Sequence, residues 1–132
     1  MSLYGVTKGT ELENIIDNNM KGEANAVVMY YALSYLAKEE GLNDLAETLE
    51  KIAQDEARHA AFYSILNGQV NKDIFAVFGN IQKAESAALP RLNEFAENIR
   101  KMGLEEVAEK IKGIALDEER HGKILQEIID KK

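Results

Sequence analysis

A chain of 132 residues, 45% apolar and 30% charged, is long enough for one packed domain and too short for two of ordinary size. Sixteen basic residues against 23 acidic ones leave a net charge of −7, with none of the Lys/Arg clustering that phosphate binding needs, which argues against a nucleic-acid partner. The absence of cysteine excludes disulfides, thiolate metal sites and a cysteine nucleophile, so any metal must be held by carboxylate oxygen and imidazole nitrogen. No apolar run approaches the roughly 20 residues of a membrane span. The opening "MSLYGVTKGT" lacks the charged-then-apolar pattern of a signal peptide, so a soluble, cytoplasmic chain is expected.

Thr10 followed three residues later by Glu13 has the form of a capping box, which predicts a first helix beginning near Glu11. Its inward seam runs through Ile16, Glu23, Val27, Tyr30, Leu33 and Ala37. Gly41, followed by Leu42 and polar residues, reads as a helix C-terminus. The second seam steps by four and three through Leu45, Leu49, Ile52, Glu56, His59 and Tyr63. "NGQVNKDIFAVFG" has turn formers at both ends and predicts a crossover over about 67–79. A third seam passes through Phe78, Ile81, Glu85, Ala88, Leu92, Phe95, Ile99 and Met102, with Pro90 expected to bend the helix close to Glu85. After a second break at Gly103, the fourth seam follows Val107, Ile111, Ile114, Glu118, His121, Leu125 and Ile128.

The second half repeats the first. An offset of 62 residues places Glu23 on Glu85, Gly41-Leu42 on Gly103-Leu104, Asp55-Glu56 on Asp117-Glu118 and Arg58-His59 on Arg120-His121, without a gap. Each copy is too long for one helix and has a single glycine break, so each is a helical hairpin. The expectation is an all-α, antiparallel four-helix bundle: a single domain over 1–132, with hairpin one at about 11–66 and hairpin two at about 80–130.

The chain's two histidines both close the word Asp-Glu-x-Arg-His, and four glutamates share their inward seams. Unpaired charges in an apolar core cost several kcal/mol each, so a cation is needed to compensate them. Glu at i and His at i+3 share a helix face, and two such pairs with one Glu from each remaining helix form a ligand set for two carboxylate-bridged metal ions. The candidate metal ligands are therefore Glu23, Glu56, His59, Glu85, Glu118 and His121. Such donors suit iron or manganese better than copper or a closed zinc site. A lone Glu-x-x-His in a Glu-rich helical chain is weak evidence; two in repeat register carry the inference. Other residues keep two readings. Tyr30, two turns after Glu23, is either a core aromatic or a partner of a ligand carboxylate. Arg58 and Arg120 are either rim ion pairs or neighbours of the site. Asp55 and Asp117 either face solvent or accept from the free nitrogen of the other hairpin's histidine.

"KGT" from Lys8, "GEANAVVMYY" from Gly22, "EEG" from Glu39, "DEARHAAF" from Asp55 and the second Glu with "DEERH" resemble the rubrerythrin branch of the ferritin-like superfamily over nearly the whole chain. Glu23 to Glu56 and Glu85 to Glu118 are both 33 residues, the spacing that family's hairpins require. The resemblance implies the same six metal ligands, with Tyr30 beside them, two iron ions (manganese or a mixed pair fitting the same donors), and a homodimer with exchanged hairpins as one form of it. It implies reduction of hydrogen peroxide to water by a diferrous centre that becomes diferric and is re-reduced, with Glu23, Glu56, Glu85, Glu118 and Tyr30 serving the reaction. Two departures bear on this. The family commonly carries a four-cysteine rubredoxin-like domain, absent from a chain without cysteine, so electrons are expected from an external donor such as rubredoxin. The family's usual second glutamate, three residues after the third-helix ligand, is here Ala88. The remaining set also suits relatives that activate oxygen or oxidise Fe(II), which makes ferritin-like iron handling the alternative function. A metal-free helical interaction module is the third.

Overall fold

The computed structural model describes residues 2–132, which form four α-helices and no strand among the described residues. Helices α1 (Glu13–Glu39) and α2 (Asn43–Leu66) pack as one antiparallel hairpin, and α3 (Ile74–Lys101) and α4 (Glu105–Asp130) as another. The chain is all-α, with the pair of hairpins from which a four-helix bundle is made. By their internal contacts the hairpins are two compact units, one ending at Val70 and one spanning Asn71–Lys132. Among the described residues, no helix is long and apolar enough to cross a membrane.

Both hairpin turns are the glycine breaks of the sequence. Gly41 has φ +76° and Gly103 φ +84°, a left-handed conformation that costs residues with a Cβ. That conformation closes a double hydrogen bond over each helix end: Gly41 N–H to Lys38 O (3.0 Å) and Leu42 N–H to Ala37 O (2.9 Å), Gly103 N–H to Arg100 O (2.9 Å) and Leu104 N–H to Ile99 O (3.4 Å). The chain enters the next helix at once, because Leu42 O and Leu104 O already accept from Ala46 and Ala108.

Two expected boundaries move. α1 starts at Glu13 rather than near Glu11, and its N-cap Leu12 has no side-chain bond. Thr10 is drawn into the preceding turn, where its Oγ1 donates to Thr7 O (2.7 Å) and accepts from Leu12 N–H (3.2 Å), while Glu13 accepts from Gly9 N–H (3.3 Å). That turn is fixed to the end of α2 by Gly5 N–H to Ile65 O (2.9 Å), Thr7 N–H to Leu66 O (3.0 Å) and a buried Thr7 Oγ1 to Asn67 Oδ1 bond (2.5 Å). α3 begins at Ile74, inside the segment expected as crossover, because Asp73 caps it by accepting from Ala76 N–H (3.1 Å). The helix then continues through Pro90 to Lys101.

Inside each hairpin the buried helix positions carry small residues, Ile99 on α3 apart: Ser34 and Ala37 on α1, Ala46 and Ala53 on α2, Ala88 and Ala96 on α3, and Ala108, Ala115 and Gly122 on α4. Ala46 and Ala53 recur at the 62-residue offset as Ala108 and Ala115, so the two hairpins share this part of their packing. Small side chains let the two backbones approach closely, and a Cβ built on Gly122 would meet Ser86 Oγ at 3.1 Å. Buried Ser34 is satisfied by donating to Ala46 O (2.8 Å). The bulkier seam expected to point inward therefore divides. Leu49, Ile52, Tyr63, Ile111 and Leu125 are half-buried, whereas Leu33, Leu45, Ile81, Phe95, Met102, Val107, Ile114 and Ile128 are exposed. Two helices can bury only what lies between them, and these side chains stand on the flank of that contact.

Candidate metal centre

The six expected ligands gather as two triads, each complete within one hairpin. Glu23 of α1 meets Glu56 and His59 of α2, and Glu85 of α3 meets Glu118 and His121 of α4, with one potential ligand atom per residue lying within 4.8 Å of the others in each group. The one-turn Glu-x-x-His spacing puts both side chains of α2, or of α4, on the side of the upstream glutamate. His59 Nδ1 lies 3.7 Å from Glu23 Oε1, and His121 Nδ1 3.8 Å from Glu85 Oε2. The duplicated sequence thus gives duplicated geometry.

Burial within the triads is graded. The side chains of Glu23 and Glu85 are 25% and 19% exposed, those of His59 and His121 53% and 45%. Glu23 Oε2 and Glu85 Oε2 are buried and have no hydrogen-bond partner among the described residues. A buried carboxylate oxygen left unpaired costs free energy unless a cation or proton meets it. At Glu85 the protonated form is favoured relative to an ordinary glutamate: sharing with the Glu118 carboxyl raises its pKa, burial and the charge of Glu118 raise it further, and His121 opposes the rise. Two carboxylates, one imidazole and an orphaned carboxylate oxygen in each hairpin fit a divalent cation of the iron or manganese kind, with coordination positions left for other ligands.

The remaining candidates separate. Asp55 accepts from Arg58 one turn along α2, and Asp117 from Arg120 (3.3 Å) along α4; all four side chains are largely exposed, so the arginines form the surface ion pairs of their two readings. Tyr30 is half-buried on α1 and leaves Glu23 Oε2 without a hydrogen bond. Ala88 is buried, and the equivalent position of the first repeat, 62 residues earlier, is also alanine, Ala26. A recess of about 390 Å³ opens beside Glu23 and Glu56, lined by Asn18, Asn19, Gly22 and Tyr63. The two asparagines escaped sequence reasoning, which followed apolar periodicity; their signal was a polar pair one turn before a candidate ligand.

The rubrerythrin family model matches residues 14–80 and again residues 79–132, one match for each hairpin. The chain belongs to the rubrerythrin family. It is 35% identical over 127 residues to an uncharacterized protein of Methanocaldococcus jannaschii, covering 96% of this chain and 90% of that one. It is 30% identical over 132 residues to reverse rubrerythrin-1 of Clostridium acetobutylicum, covering 96% of this chain and 72% of that one. Rubrerythrins are di-iron proteins, and among the described residues the two Glu–Glu–His triads are groups that could hold a metal ion.

Proposed function

We propose that this chain is a di-iron oxidoreductase that protects against oxidative damage by reducing hydrogen peroxide to water. The reaction takes up two protons and two electrons per peroxide, the electrons coming from an external donor such as rubredoxin. The observation that carries the proposal is the paired triad with its orphaned carboxylate oxygens, Glu23–Glu56–His59 and Glu85–Glu118–His121. One metal ion would be held by each triad, and a pair of irons would supply the two electrons that reduction of the O–O bond consumes. Glu23 and Glu85 offer the most buried charges, so they would fix the positions of the cations. The histidines supply neutral nitrogen donors from the more open side. Tyr30, on the Glu23 face of α1, is the candidate to hold a proton near the ligand carboxylates.

Each hairpin also carries exposed apolar side chains nearer its turn, Leu33 and Leu45 in hairpin one and Phe95 and Val107 in hairpin two. Covering that flank with a second hairpin would bring two triads together, complete a four-helix bundle and keep bulk water from the site. A homodimer in the cytoplasm is the form we propose for the protein. Ferritin-like oxidation of Fe(II) is the second reading, favoured by Ala88 and Ala26, which leave each triad without an additional carboxylate.

The test combines metal analysis with oxidant preference. Purified protein is expected to carry two irons per chain, and the reduced protein to be oxidised by peroxide much faster than by oxygen. The opposite preference transfers the assignment to Fe(II) oxidation, and a chain that takes up no metal returns it to a helical interaction module. Glu56→Ala and Glu118→Ala are each expected to lose about one of the two metals and all turnover; full activity in either would remove that residue from the site.

A further inference from the structure

The two triads are alike, but their surroundings are not. The recess beside Glu23 and Glu56 is framed by the carboxamides of Asn18 and Asn19 and the phenol of Tyr63. At the 62-residue offset these positions become Asn80, Ile81 and Leu125, and Tyr30 becomes Leu92. Hairpin two keeps the first carboxamide as Asn80 but has aliphatic carbon at the other three positions, where hairpin one has neutral donors and acceptors.

We propose that the Asn18–Asn19–Tyr63 recess is the binding position of the small polar substrate, so that hydrogen peroxide is received on the hairpin-one side of the centre. The proposal rests on the di-iron reading above. The chemistry fits a neutral molecule with two O–H donors and four lone pairs: a carboxamide both donates and accepts, as does a phenol, and the three side chains bring no charge of their own. A lining meant to draw in cations would carry further carboxylates, whereas Glu23 and Glu56 are already committed to the triad. The opening, about 390 Å³, is ample for a molecule of two heavy atoms with accompanying water. Gly22, which also lines it, has no heavy atom within 4 Å of where a Cβ would stand, so the recess is unobstructed on that side.

The residues of the second repeat supply the test. Asn19→Ile and Tyr63→Leu convert the recess to its counterpart without touching a triad ligand, and Ile81→Asn is the reciprocal control. In the iron-loaded protein, Asn19→Ile and Tyr63→Leu are each expected to raise KM for peroxide by about fivefold or more, the equivalent of one lost hydrogen bond, with kcat far less affected. Azide, titrated into the oxidised protein by its charge-transfer absorption, should weaken in parallel, while iron stoichiometry stays at the wild-type value. Ile81→Asn should leave KM and azide affinity unchanged. Unaltered KM and azide binding in both hairpin-one variants overturns the proposal and leaves the di-iron reading intact, as does a loss of iron, which would make the recess part of metal loading. Wild-type protein that binds no iron fails the di-iron reading and the proposal with it.

Discussion

Glu85 carries a marked conflict: its carboxyl is three-quarters or more buried, one oxygen has no partner, and Glu118 stands beside it. Its pKa is raised in the folded chain, so the folded state holds this proton more tightly than the unfolded state does. Its contribution to stability is then fully present below the ordinary glutamate range and is lost as pH rises through the raised value. Metal-free Glu85→Gln should accordingly melt above the metal-free wild type at neutral pH, and the difference should shrink as the pH is lowered into the acid range. Added Fe(II) or Mn(II) should raise the melting temperature of the wild type and do much less for the variant, because a cation substitutes for the proton only where the carboxylate is present. Melting curves across pH, with and without metal, check both. A difference that does not change with pH would mean that the Glu85–Glu118 pair is not its source.

At the scale of the helices, glycine divides by position. Gly113 lies mid-helix in α4, exposed, with nothing within 4 Å of a Cβ, whereas Gly41 holds the left-handed turn between α1 and α2. Gly113→Ala is expected to stabilise by about 0.5–1 kcal/mol, and Gly41→Ala to destabilise by about 1 kcal/mol, from helix propensity and left-handed strain respectively. The corresponding melting shifts, roughly 3–5 °C in opposite directions, are readable by circular dichroism; shifts of the same sign would contradict the distinction. The hairpins were legible in the sequence for the same reason, since Gly41 and Gly103 each sit where a seam ends and a Leu begins the next. The triads were legible because Glu-x-x-His and the 33-residue spacing both survive in one dimension. The start of α1 was not, because Thr10 has a competing partner, Thr7 O, that only the folded turn supplies. Nor was the contact row of Ala46, Ala53, Ala108 and Ala115: periodicity weights bulk, while the closest helix contact selects small residues.

On the scale of the whole molecule, the question is what becomes of the bulky side chains that the row of alanines leaves outside. Leu33 and Leu45 on hairpin one, and Phe95, Met102, Val107 and Ile114 on hairpin two, are each at least 43% exposed, and large apolar side chains left in the open in this number argue for an association surface on each hairpin. The net charge of −7 gives two copies a mutual repulsion that apolar burial must exceed, which makes association stronger, not weaker, when salt screens the charge. Sedimentation equilibrium should therefore give about twice the 14.7 kDa chain mass, with the dimer tightening as salt is raised. Leu45→Asp stands on the flank rather than in the hairpin contact, so it should leave the helical circular dichroism in place. It should weaken the dimer by at least about tenfold, since burying one leucine is worth roughly 2 kcal/mol and the new carboxylate resists burial. If the flank also shields the metal centre, the same variant should lose peroxide turnover at concentrations where it is monomeric and regain it as the dimer re-forms. A monomeric wild type, or a Leu45→Asp monomer that turns over at the wild-type rate, would show that one chain builds and shields the centre by itself.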